Sequence, residues 1–175
     1  SPFSRVGAFW RAGEQTTRET SDQTTKEGRN MFVADCLQVN KQGHLCMEEL
    51  DVLELAAKYG TPLYVMSETQ IRKNCRMYQD SLKRFYGGNG LALYASKAFC
   101  CKEICRIAAQ EGMGLDVVSG GELYTAVSAG FSPEKIYFHG NNKTAPELVA
   151  ALEQKVGTIV VDNLEELEML DRLGG

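Results

Sequence analysis

The sequence predicts a parallel α/β fold, either a doubly wound sheet or a (β/α)8 barrel cut off roughly half-way. Three observations predict it. From Leu91 onward, short apolar runs alternate with amphipathic runs that stop near glycines. Polar residues close the apolar runs at Lys97, Asp116, His139 and Asp162, in steps of 19, 23 and 23 residues. A step of that size holds one strand, one helix and two short loops, the repeat of a parallel sheet. Finally, Ser119, Thr144 and Asp162 each stand three residues before a glutamate. That is the capping-box arrangement, and it places a helix start just after each strand.

The elements follow in order. Residues 11–30 hold one apolar residue, Ala12, and no periodicity. Such a segment cannot bury enough surface to offset its ordering entropy, so residues 1–30 are expected to be a disordered or appended leader outside the fold. Residues 31–62 should form one or two short strands with a turn at Asn40–Gly43, then a short helix over 51–59 stopped by Gly60 and Pro62. Residues 63–175 should form the first half of a barrel. It opens with a strand over Leu63–Met66, and Ser67 and Gln70 then cap a helix carrying Ile71, Cys75, Tyr78, Leu82 and Phe85 at helical spacing. Strand 91–95, helix 101–110, strand 115–118, helix 123–129, strand 136–139, helix 148–154, strand 158–161 and helix 164–173 complete five strand–helix units. A closed barrel takes about 250 residues, so a 175-residue chain of this pattern holds only part of one.

Composition narrows the function classes. The chain is 43% hydrophobic and 24% charged, as globular proteins are. A formal net charge of -4 offers no basic field to nucleic acid. No apolar run approaches the roughly 18 to 20 residues of a membrane helix, so a soluble protein is expected, and the placement of its cysteines suggests reduced thiols in a cytoplasmic one. Among the six cysteines, Cys100, Cys101 and Cys105 crowd one helix start, a poor geometry for bridging one another. No paired C-x-x-C occurs and His44 and His139 are far apart, so neither a disulfide framework nor a metal site is expected.

Lys97 carries the chemistry. The run Leu91–Ala95 has the apolar character of a strand buried on both faces, and it leads straight into a lysine. The lip where a parallel strand gives way to its helix is where α/β folds place their sites. A partly desolvated lysine there can form a Schiff base with a carbonyl. The plainer alternative is a lysine that lays its stem on the rim and keeps its head in water. Asp116, inside an apolar strand, calls for a cationic neighbour, for which Lys97 is the obvious choice, or else for local backbone N–H groups. His139 can shuttle protons or face a planar ligand, or serve as a satisfied structural histidine. Asn141 and Asn142 suit a tight turn, and Phe99 with the nearby thiols suits helix packing. Ser119-Gly-Gly121 is no G-x-G-x-x-G fingerprint, which argues against a dinucleotide.

Three segments together resemble one family. Tyr94-Ala-Ser-Lys97-Ala98, Gly114-Leu-Asp116 through Leu123, and Phe138-His-Gly-Asn-Asn-Lys143 resemble the diaminopimelate decarboxylases, fold-type III enzymes that use pyridoxal 5'-phosphate. Tyr59–Val65 resembles the way that family enters its barrel. The resemblance implies a (β/α)8 barrel followed by a β-domain, a homodimer, and conversion of meso-diaminopimelate to L-lysine and CO2. It implies that Lys97 holds the cofactor, that Asp116 lies near that lysine, and that His139 belongs to the cofactor site. Phe99 departs from the family, which commonly has asparagine there. The phosphate-binding glycines, the acid facing the ring nitrogen and the substrate-binding residues belong to the family's second half. The C-terminal β-domain is likewise not found in this sequence. A half-barrel leaves open strand edges, so this stretch alone is expected to be inactive and poorly folded. Ornithine- or arginine-type decarboxylases of the same fold, and a non-catalytic pyridoxal-phosphate-binding barrel, are the competing readings.

Overall fold

The computed structural model describes residues 34–174. The expected leader, and residues 31–33 after it, lie outside the described residues. The described chain falls into two compact units divided between Ile71 and Arg72.

In the first unit, β1 (Leu37–Val39), β2 (Leu45–Met47) and β3 (Leu50–Asp51) pair antiparallel in that order. The β1–β2 turn is built on Asn40, whose Oδ1 accepts the main-chain N–H groups of Gln42 at 3.0 Å and His44 at 2.9 Å. Asp51 caps α1 (Val52–Tyr59), accepting the Leu53 N–H at 2.8 Å through Oδ1. Its Oδ2 takes Nδ1 of His44 at 2.7 Å and Nδ2 of Asn40 at 3.0 Å. The contact with His44, with the Leu53 and Asn40 bonds adding to it, holds the Asp51 carboxyl below its ordinary range. Gly60, at φ +79°, ends α1 by donating its N–H to Ala56 O.

The strand expected over Leu63–Met66 does not form. A four-residue apolar run becomes a strand only when a neighbour completes its ladder, and no described strand pairs with it. Tyr64 is 87% exposed. The Ser67 cap is present, accepting the Gln70 N–H at 3.0 Å at the start of α2 (Glu68–Tyr86).

The second unit holds β4 (Leu93–Ala95), β5 (Gly114–Val117), β6 (Ile136–Phe138) and β7 (Thr158–Ile159), parallel and in sequence order. Four parallel strands therefore stand where five were expected. The helices between and after them are α3 (Lys102–Gln110), α4 (Gly120–Ser128), α5 (Ala145–Glu153) and α6 (Leu164–Gly174). Leu115, Val117, Ile136 and Phe138 are fully buried, as are Ile107 and Cys105 of α3, Ala126 of α4 and Leu148 and Ala151 of α5. Each large apolar side chain so buried contributes about 1.5–3 kcal/mol, and together they fix the strand ends in space. Arg72 and Arg76 of α2 clamp Glu111, just after α3, at 2.8 and 2.7 Å. That pairing, Arg76 above all, holds the Glu111 carboxyl below its ordinary range.

The helix caps follow the expected pattern with one shift. Ser119 caps α4, and Thr144 with Glu147 forms a full capping box on α5. At α6 the cap is Asn163, whose Oδ1 accepts the Glu166 N–H at 2.8 Å, and not Asp162. Asn163-x-x-Glu166 satisfies the same rule one residue on, so sequence spacing alone could not choose between them.

Candidate active site

The parallel register sets the site. Ala95 pairs with Asp116, and Asp116 with Tyr137, so successive strand ends lie side by side. Lys97 does not extend β4. It sits in a single 3₁₀ turn, Ser96–Ala98, just past the strand end. Its side chain is exposed, and it has no hydrogen-bond or ion-pair partner among the described residues. Ser96 beside it is buried. The Ser96 hydroxyl lies 2.8 Å from the main-chain oxygen of Asp116 and 2.5 Å from Oε2 of Glu122, sharing one proton between two acceptors. Glu122 also accepts the Val118 N–H at 3.0 Å. The turn that carries Lys97 is thus tied to β5 and to the start of α4.

Asp116 is paired with His139, not with Lys97. Its Oδ1 meets Nδ1 of His139, the residue that follows β6 and continues the ladder by donating its N–H to Val117 O at 2.9 Å. The expected lysine partner lies two positions beyond the Asp116 register, inside the turn, whereas the histidine stands on the neighbouring strand end. A carboxylate only accepts, so the shared proton belongs on Nδ1, leaving Nε2 available to a ligand.

Lys97, Asp116 and His139 line one open cavity of about 640 Å³, with Val118, Gly140, Asn141, Asn142 and Glu147. Glu147 links two helix starts. It accepts the N–H of Thr144 at 2.9 Å and of Gly120 at 2.8 Å, and these bonds hold its carboxyl below the ordinary carboxylate range. The packing there is close, since a Cβ on Gly120 would come within 3.1 Å of Glu147 Cγ. Tyr94 of β4 donates its hydroxyl to Phe99 O at 2.8 Å, and burial pushes its phenol up to about 12. Phe99 itself is exposed and does not pack as a helix residue should.

Sequence reasoning missed Ser96, Glu122 and Glu147 as supports of the site. Glu122 and Glu147 occupy the third positions of their capping motifs, and that role was sufficient to explain them. A small polar residue at Ser96, between an apolar strand and the lysine, was the available signal.

A parallel α/β sheet that presents an unpaired amine and a carboxylate–imidazole pair to one cavity defines a small-molecule site at the strand ends. Residues 68–174 match the family model of the pyridoxal-dependent decarboxylases, pyridoxal binding domain. The diaminopimelate decarboxylase of Bacillus methanolicus is 48% identical over 143 residues, covering 82% of this chain and 33% of the relative. That of Bacillus subtilis (strain 168) is 49% identical over 146 residues, covering 82% and 32%. Two solved structures of the diaminopimelate decarboxylase of M. jannaschii, one in complex with L-lysine, superpose with TM-scores of 0.75 and 0.73 at 38% and 39% identity. Each match covers 80% of this chain and 33% of that structure. The chain belongs to the pyridoxal-dependent decarboxylases and is a portion of their pyridoxal-binding (β/α)8 barrel. It spans about a third of the length of the curated relatives it matches.

Proposed function

We propose that the intact protein decarboxylates meso-2,6-diaminopimelate to L-lysine and CO2, with pyridoxal 5'-phosphate bound covalently at Lys97. One observation carries the reading: an amine with no partner among the described residues opens onto the same cavity as the Asp116–His139 pair. The residues present fit the group. A primary amine is the nucleophile an aldehyde needs, and about 640 Å³ lies within the roughly 300–1,000 Å³ of ligand pockets. When bound, pyridoxal phosphate supplies the electron sink that stabilises charge left on carbon as CO2 departs.

The remaining roles belong to this chain. Lys97 would supply the amine that holds the cofactor. Asp116 keeps the proton on Nδ1 of His139 and fixes the imidazole plane. His139 offers that plane to a flat ligand, with Nε2 free for a proton or a hydrogen bond. Ser96 and Glu122 hold the turn so that the Lys97 stem starts from a fixed point.

The substrate class rests on the relatives' chemistry, since L-lysine is the molecule bound in one solved relative. The free thiols agree with a cytoplasmic protein, and the motif resemblance supports a homodimer. Release of CO2 from meso-diaminopimelate, ornithine and arginine by the intact protein with added pyridoxal phosphate tests the assignment. Turnover of diaminopimelate with L-lysine as product is expected. Preference for ornithine or arginine would move the protein to the other branch of the family, and absence of any turnover by a pyridoxal-loaded protein would favour a binding role.

A further inference from the structure

Lys143 is the most deeply buried cation among the described residues, with a side chain only 1% exposed. Its ammonium donates to Gly140 O at 2.6 Å and to Val160 O at 2.9 Å, and it forms an ion pair, without hydrogen-bond geometry, with Oε1 of Glu166 at 2.9 Å. Two main-chain oxygens and one carboxylate therefore hold the ammonium, and Lys143 does not line the cavity. The ammonium also lies 6.0 Å from the Phe138 ring centroid. Glu166 is itself 5% exposed and is fixed by the Asn163 cap, which takes its N–H at 2.8 Å.

The three oxygens come from different places. Gly140 begins the cavity wall Gly140–Asn142, Val160 follows β7, and Glu166 lies in the first turn of α6. Gly140 stands at φ +118°, and a Cβ there would come within 3.2 Å of Val118 O, so the wall runs tightly over the end of β5. Glycine alone takes this conformation without strain, which is what lets the wall approach β5 so closely. Burying an ion pair adds little net stability, because apolar residues of the same volume often do as well. Stability therefore does not explain this pair, whereas its geometry does.

We propose that Lys143, braced by Glu166, is a positioning residue that pins Gly140–Asn142 and, next to it, His139 against the cavity. As far as the cavity holds pyridoxal phosphate, the inference rests on the functional reading above. The brace itself does not, and its test has two separate readouts.

The experiment compares the intact wild-type protein with Lys143→Met/Glu166→Leu, Glu166→Leu and Glu166→Gln. It measures thermal midpoint, amide hydrogen exchange over residues 139–142, and the absorbance band of added pyridoxal phosphate. The double variant is expected to melt near wild type while exchange over 139–142 rises about tenfold. Its apparent Kd for pyridoxal phosphate is expected to rise roughly tenfold as well. Glu166→Gln keeps an oxygen of the same shape beside the ammonium but not the charge, so it should fall between wild type and Glu166→Leu in both readouts. Wild-type exchange and an unchanged Kd in a folded double variant would overturn the proposal. If the double variant does not fold, equal loop exchange in Glu166→Gln and Glu166→Leu overturns it, and protection in the glutamine variant alone supports it. Absence of a pyridoxal band in the wild type would remove the reading of Lys97, and the exchange comparison would still decide the brace.

Discussion

Asp116 and His139, on adjacent parallel strand ends, are joined through Oδ1 and Nδ1, and Lys97 beside them has no partner among the described residues. This relationship separates the attachment role from the proton role. Asp116→Asn should leave the fold intact and weaken the hold on the Nδ1 proton. Turnover of diaminopimelate should fall on the order of 10²-fold, the scale of one acid–base contribution, with a thermal midpoint close to wild type. Steady-state kinetics beside a melting curve checks both halves.

Ser96 is buried, and its hydroxyl is the link between the lysine turn and Glu122. Ser96→Ala should cost about 1 kcal/mol, because the half-buried Glu122 carboxylate loses one of its donors and the Asp116 main-chain oxygen loses another. Ser96→Thr keeps the hydroxyl but adds a methyl in a closed site, so it should recover only part of the loss. Denaturant titration of the two variants reads the difference.

Gly157 approaches the backbone before β6 so closely that a Cβ would stand 2.0 Å from Glu134 O. Its N–H donates to Pro133 O at 2.9 Å, which sets the distance. Gly157→Ala must push β7 away from β6 and should destabilise by about 3 kcal/mol or more. A midpoint shift in urea tests this, and a neutral result would mean that the β6–β7 pairing is looser than the structure has it.

The pH dependence has a definite sign at Glu147. Its carboxyl lies below the ordinary value of 4.5, chiefly because Thr144 and Gly120 donate main-chain N–H groups to it. A lowered carboxyl contributes stability that is present above that ordinary value and lost as pH falls through the lower folded value. The stability gap between wild type and Glu147→Gln should therefore be full at pH 7 and narrow progressively below pH 4.5. Melting curves across the acid range measure it.

Burial pushes the Cys105 thiol up to about 12 and raises that of Cys100 as well. Thiolate is the reactive form, so neither should react at neutral pH while the fold holds. Mass mapping after iodoacetamide treatment should find Cys105 modified only in denaturant.

The strand–helix alternation was legible because the starts of α4, α5 and α6 carry capping residues and the strands are mostly apolar. Lys97, Asp116 and His139 came out of that period, since side chains at equivalent strand ends meet when strands run parallel. What sequence could not show was who pairs with whom. The partner of Asp116 depends on Lys97 lying in a 3₁₀ turn and not on the strand, a difference of two residues in register. Leu63–Met66 reads as a strand by composition, yet a ladder needs a neighbour. Ser96, Glu122 and Lys143 act through contacts between residues 17 to 26 positions apart, which no local pattern encodes.

Borohydride reduction of the intact protein with pyridoxal phosphate, followed by peptide mapping, tests Lys97 as the attachment point most directly. One reduced pyridoxyl group is expected, on Lys97, absent in Lys97→Ala while that variant keeps a folded circular-dichroism signal. A folded protein whose adduct maps to another lysine, or survives the Lys97→Ala change, would contradict it.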